Sequence, residues 1–99
     1  MTISADKKGS KLVLSLEGRL DTTTAPELEK ELGEYLDAVD DITFDCNGLE
    51  YISSAGLRVL LGAQKAMNKK EGKLVVKNIN DTIREVFEVT GFTDVITIE

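Results

Sequence analysis

The sequence predicts a single α/β domain over residues 1–99, with a mixed, mostly parallel five-stranded sheet and crossover helices in the order β-β-α-β-α-β-α-β. Three observations carry this. Short apolar runs with two-residue alternation are separated by segments whose apolar residues recur at three and four residues. The first two runs lie close enough together to form an antiparallel hairpin. With 99 residues, 41% of them apolar and no break in composition, the chain can close one core without a metal or disulfide and has no room for a second domain.

The elements follow in order. Thr2 to Ala5 is a short strand, Asp6-Lys7-Lys8-Gly9-Ser10 a turn, and Lys11 to Gly18 a longer strand with Leu12, Leu14 and Leu16 on one face. Thr24-Ala25-Pro26-Glu27 starts a helix: Thr24 caps, Glu27 reaches back, and proline is tolerated in the first turn. Leu28, Leu32, Leu36 and Val39 carry that helix to Leu36 or Val39. Asp41 to Cys46 is a third strand, and Asn47-Gly48 reads as a turn. After Leu49, Tyr51 and Ile52, a second helix runs from Ser54 or Ala55 to about Lys70, with Gly72 beyond it. Lys73 to Lys77 is a fourth strand. Thr82 with Glu85 offers a capping box for a third helix ending at Gly91, and Val95 to Ile98 is a fifth strand.

Charge and composition exclude several function classes. Twelve Lys+Arg against 18 Asp+Glu give a net charge of -6, which opposes binding to nucleic acid or an anionic membrane and favours protein partners. Met1 to Lys8 lacks a signal-peptide apolar region, and no apolar run approaches the ~20 residues of a membrane helix, so no membrane insertion is expected. Cys46 is the only cysteine, which excludes an intrachain disulfide or a thiolate-rich zinc site and suits a cytoplasmic setting; it reads as a small core residue. The chain has no histidine, so the commonest general base, nucleophile activator and metal ligand is missing. No cofactor, no metal and no enzymatic activity are expected.

The functional rim of such a sheet lies at the carboxyl ends of its strands. Three segments reach it: Arg19-Leu20-Asp21, Ser53-Ser54 and Asn78 to Asp81. Only the serine pair stands at the mouth of a long helix. One reading makes either serine a plain helix cap. Neither has the Glu or Gln three residues on that completes a capping box, and Gly56 in the first turn suggests a close approach. The other reading is a phosphorylation site, because a phosphate of roughly -1.5 to -2 charges is stabilised at a helix amino terminus. Asp21 on the same rim would repel it. Along the second helix, Gly56, Val59, Leu60, Ala63, Ala66 and Met67 form a core stripe, while Leu57 and Leu61 lie to one side, near Arg58. These two leucines are either covered by a neighbouring helix or form a small exposed docking patch.

Asp45-Cys46-Asn47-Gly48-Leu49-Glu50-Tyr51-Ile52-Ser53-Ser54-Ala55-Gly56-Leu57 resembles the pattern of the anti-sigma factor antagonist family of STAS domain proteins, as do Glu17 to Asp21 and Glu88 to Phe92. The resemblance covers nearly the whole chain. It implies a STAS fold and a protein that binds an anti-sigma factor acting also as a serine kinase. The unphosphorylated antagonist binds that partner and frees a sigma factor, and a PP2C-type phosphatase restores the binding form. The family's phosphorylated serine maps onto Ser54, its rim aspartate onto Asp21, and the implied partner surface onto Asp21, Ser53, Ser54, Gly56, Leu57, Arg58 and Leu61. Where the family has Asp before the phosphorylated serine this chain has Ser53, and where it has Ser or Thr after it this chain has Ala55, so Ser53 is the alternative acceptor. A second reading is a STAS accessory or scaffold module of a transporter or signalling complex, docking a partner without phosphorylation.

Overall fold

A computed structural model describes all residues from Met1 to Glu99. The elements are β1 (Thr2–Lys8), β2 (Lys11–Leu20), α1 (Ala25–Gly33), β3 (Asp41–Ile52), α2 (Ser54–Lys69), β4 (Lys73–Lys77), α3 (Asp81–Thr90), a 3-10 turn (Phe92–Asp94) and β5 (Thr97–Ile98). The five strands lie in chain order, β1 antiparallel to β2 and all other neighbours parallel. This is the α/β architecture expected, with the hairpin as its antiparallel edge.

With right-handed crossovers, a sheet whose strands add one after another carries its helices on one face. Burial agrees. Leu12, Leu14 and Leu16 of β2, Ile42, Phe44 and Cys46 of β3, and Leu74 and Val76 of β4 are all buried, while their alternates Val13, Ser15, Thr43, Asp45, Val75 and Lys77 are half-buried. The core is one cluster of 23 residues, to which α1 contributes Leu28 and Leu32, α2 Leu57, Leu60 and Met67, and α3 Ile83 and Phe87. Cys46 is among them, and burial pushes its thiol up to about 12, in keeping with a small core residue.

Several local expectations are corrected. Asp6, Lys7 and Lys8 belong to β1, and only Gly9-Ser10 turns the hairpin, because Lys8 pairs with Lys11. The strand after it runs on to Leu20. Helix α1 stops at Gly33, short of Leu36 or Val39, and turns carry the chain onward; Lys70 Nζ holds them by donating to the Leu36 carbonyl at 2.6 Å and the Val39 carbonyl at 2.9 Å. Neither capping box forms. Thr24 makes no side-chain cap to its helix, and α3 starts from Asn80, whose Oδ1 accepts from the Ile83 N–H at 2.8 Å. Gly91 closes α3 at φ 79°, as the helix-stop reading required. The fifth strand is only Thr97–Ile98, since the 3-10 turn and Ile96, buried against the core, occupy the preceding residues.

The largest correction concerns β3. Asn47-Gly48 is not a turn. The strand continues to Ile52, and its register against β2 slips twice: Ser15 pairs with Asp45 but Glu17 with Gly48, then Gly18 pairs with Leu49 but Arg19 with Tyr51. Each slip inserts one extra residue into β3, a β-bulge that reverses which face the following side chains take. The buried positions accordingly change from Ile42, Phe44 and Cys46 to Leu49 and Ile52, spaced by three. Asp45 Oδ1 secures the first bulge, accepting from the Asn47 N–H at 3.1 Å and from Asn78 Nδ2 at 2.9 Å. Asn80 Nδ2 secures the second, donating to the Leu49 and Glu50 carbonyls at 3.2 and 3.3 Å.

The Asn78 hydrogen bond, reinforced by the Asn47 N–H and the nearby Lys77 charge against a smaller opposing effect of burial, holds the Asp45 carboxyl below its ordinary value. A depressed carboxyl pKa contributes stability that is complete above the unfolded value of about 3.9 and is lost as pH falls through the lower folded value. Asn78 sits at φ 62°, so glycine keeps its backbone geometry while removing the amide. Asn78→Gly is expected to cost about 1 kcal/mol in urea unfolding at pH 7. That deficit should shrink as the pH is lowered through the acid limb, and a deficit that stays constant with pH would exclude the Asp45 linkage.

Candidate functional site

The double bulge delivers Ile52 opposite Leu20 at the carboxyl end of the sheet, and the Ser53 N–H donates to the Leu20 carbonyl at 2.9 Å. This bond joins two of the three rim segments. The third is joined through Asn80, whose side chain reaches the Leu49 and Glu50 carbonyls. The segments picked out in the sequence therefore meet at one corner.

Ser53 is the residue before the first turn of α2, at φ -101° and ψ 176°, and its carbonyl accepts from the Leu57 N–H at 2.9 Å. Its backbone is that of a cap, yet its side chain is not: the hydroxyl makes no cap bond, is buried, and has no hydrogen-bond partner. Ser54, the first residue of the helix, is exposed. The two hydroxyls thus occupy opposite environments. With no side-chain cap and no acidic residue in the first turn, the amino-terminal N–H groups of α2 have no negative charge of their own helix near them. Helices α1 and α3 each carry one there, Glu27 and Asp81.

Gly56 lies against β2 and β3. A Cβ built on it would meet Leu20 Cγ at 2.6 Å and Ile52 Cγ1 at 2.8 Å, so the close approach inferred from the sequence is the packing of α2 onto the strand ends that carry the corner. Leu57 is 4% exposed and belongs to the core, and Leu61 is half-buried. The pair therefore does not form an exposed apolar patch; of the two expectations for these leucines, burial holds for Leu57. Arg58 is exposed one turn after Ser54, and with Glu29 of α1 it lines a shallow groove of about 180 Å³ between the two helices. The roomier concavity, about 450 Å³, lies at the other end of the chain around Arg84 and Thr93 to Ile98. Neither concavity is lined by Ser53 or Ser54.

Asp21 is on the rim but occupied. Although desolvation opposes it, the Thr24 and Thr23 N–H groups, donating to Oδ1 at 3.2 and 3.0 Å, hold its carboxyl below the ordinary range. Thr24 Oγ1 in turn donates to the Arg19 carbonyl at 2.7 Å and accepts from the Asp21 N–H at 2.9 Å. Asp21 thus organises the approach to α1 as well as contributing charge. Arg19 stacks over the Tyr51 ring at 4.4 Å and approaches Asp21 Oδ2 at 3.8 Å. This Arg19-Tyr51 pair is a feature sequence reading missed; the signal was available only once the bulged register had put the two residues opposite each other.

Because the Gly56 contacts are with branched carbons in a packed corner, Gly56→Ala is expected to destabilise the chain by about 1 to 3 kcal/mol despite alanine's better helix propensity. Chemical denaturation checks this; an unchanged or raised midpoint would show that the helix does not bear on Leu20 and Ile52 as described.

Comparison with known proteins is consistent with this geometry. The family model described as STAS domain matches residues 2–99. BtrV of Bordetella bronchiseptica, whose name assigns it provisionally to the anti-sigma factor antagonists, is 35% identical over 99 residues, covering 99% of this chain and 85% of that protein. The anti-sigma-B factor antagonist of Staphylococcus aureus is 34% identical over 82 residues, 82% of this chain and 76% of that one. Among solved structures, the anti-sigma factor antagonist SpoIIAA in its unphosphorylated form matches with a TM-score of 0.81 at 19% identity, covering 99% of this chain and 87% of that one. Its phosphorylated form, described as a Bacillus cell fate determinant, matches at 0.79 and 20% identity, covering 99% and 91%. At that identity the likeness is one of fold. The chain is a member of the STAS domain family, among its anti-sigma factor antagonists.

Proposed function

We propose that this chain is a phosphorylation-controlled binding switch: unphosphorylated, it binds an anti-sigma factor that is also a serine kinase and so frees a sigma factor for transcription; phosphorylated on Ser54, it lets that partner go. A PP2C-type phosphatase returns it to the binding form. Family membership supports the antagonist role, and the observation that carries the switch is the contrast between the two serines. The Ser54 hydroxyl is exposed at the first position of α2, within reach of a kinase, whereas the Ser53 hydroxyl is buried. In the transfer, Ser54 Oγ attacks the γ-phosphorus of ATP, its proton passes to a base of the kinase, and ADP leaves.

The partner surface is then the exposed rim around the corner, with Asp21, Ser54, Arg58 and the open side of Leu61 as contacts. Ser53 and Gly56 set its shape, and Leu57 supports it from the core. A phosphate here sits at the positive end of a helix that has no other negative charge in its first turn, so modification changes the surface without a penalty to the fold. On the same rim as Asp21, the added charge makes the surface more acidic, so a partner that docks on the unmodified rim meets a changed potential.

Incubation of the chain with its cognate serine kinase and ATP, followed by mass spectrometry, is expected to place one phosphate on Ser54 and none on Ser53. Ser54→Asp should weaken binding of that kinase by about tenfold or more, as a loss of at least 1.4 kcal/mol implies. Absence of phosphate from Ser54 together with unchanged affinity of Ser54→Asp would overturn the switch and leave docking without phosphorylation, the accessory or scaffold role.

A further inference from the structure

We propose that Arg58 is the intramolecular counter-ion of a phosphate on Ser54, so that modification withdraws a cation from the partner-facing surface as well as adding an anion to it. The inference rests on Ser54 as the modified residue and specifies how the modified state is held.

The geometry of α2 brings the two residues together. At 100° per residue, Ser54 and Arg58 differ by about 40° around the helix axis and stand one turn apart, the i, i+4 spacing at which side chains on a helix surface meet. Gly56, packed on Leu20 and Ile52, fixes which side of the helix faces inward; Ser54 and Arg58 lie on the opposite side, and both are exposed. The order is favourable as well, with the anion nearer the amino terminus and the cation further along.

Arg58 is free to take this role. The one ion pair in the chain is Arg19 with Asp21, and Arg19 is held in addition by its stacking on Tyr51. Glu29 lines the same groove as Arg58 from α1 without pairing with it. The helix end is also short of partners: its first turn has no carboxylate and no side-chain cap, and the buried Ser53 hydroxyl points to no acceptor. A phosphate on Ser54 therefore meets unoccupied N–H groups on one side and an unpaired guanidinium on the other, a donor fork suited to phosphate oxygens. Unmodified, the same guanidinium is available to a carboxylate of the partner. The charged groups nearest this face on neighbouring elements are Glu29 of α1, which shares the Arg58 groove, and the Arg19-Asp21 pair at the end of β2, the strand end to which Ser53 is tied.

The test uses the full chain with phosphoserine installed at position 54 by genetic encoding, titrated by phosphorus NMR and compared with the same phosphoprotein carrying Arg58→Gln or Arg58→Lys. Arg58 is exposed, so both variants are expected to fold. A cation beside the phosphate favours its dianion, so the second ionisation, near 6 for free phosphoserine, should fall about 0.3 lower with Arg58 than with R58Q, and R58K should recover part of the difference. Melting temperature should rise on phosphorylation in the parent chain and rise less in R58Q. Coincident titration curves for all three, with equal changes in melting temperature, would overturn the pairing. Since the phosphate is installed without a kinase and read without a partner, that result leaves the Ser54 switch standing, and a failed switch leaves the pairing standing.

Discussion

Two single-residue insertions in β3 decide where the serines go. A strand alternates strictly, so each extra residue turns the following side chains to the other face, and the two together let Leu49 and Ile52 rejoin the core after Cys46. Ile52 then pairs with Leu20, Ser53 is tied to the Leu20 carbonyl, and α2 begins at once. Without the second insertion, Ile52 would face away from the core and the helix would leave the sheet from the wrong side. The insertions are held by polar groups from the neighbouring rim segments: Asp45 with Asn78 for the first, Asn80 for the second. The loop after β4 therefore supports the corner at the end of β3, which is why three segments distant in sequence form one surface.

The corner separates two chemically equivalent side chains by environment alone. Ser53 and Ser54 are neighbours, but the strand conformation of the first turns its hydroxyl inward while the helical position of the second leaves its hydroxyl in solvent. The surrounding charges are similarly divided. Asp21 is engaged by backbone N–H groups, Arg19 by Tyr51 and Asp21, and Arg58 by nothing. An uncommitted guanidinium beside an uncapped helix end makes the corner a locally positive spot.

Much of this was legible in the sequence because it depends on local period and punctuation. The fourth strand, the long second helix, the stop at Gly91 and the core role of Cys46 follow from spacing and residue type, and the fold class follows from their order. What was not legible depends on pairing. Asn47-Gly48 carries the same local signal in a turn as in a bulged strand, and only the register against β2 distinguishes them. The apolar spacing of Leu36 and Val39 persists beyond the end of α1 because the turns that follow also bury side chains. Leu57 was ambiguous for a related reason: the angular pattern of one helix does not reveal which neighbours cover its flank. At α3, Asn80 displaced Thr82 as the cap because its amide also reaches β3, a contact between residues 30 and 31 positions apart.

In the proposed switch the corner changes state while its frame stays fixed. Backbone amide NMR shifts of the full chain, recorded with serine and with phosphoserine at position 54, test this most directly. Changes confined to Ser53 through Arg58 and to the adjoining Leu20-Asp21 segment are expected. Changes spread through β4 and α3, or a loss of dispersion across the sheet, would contradict it.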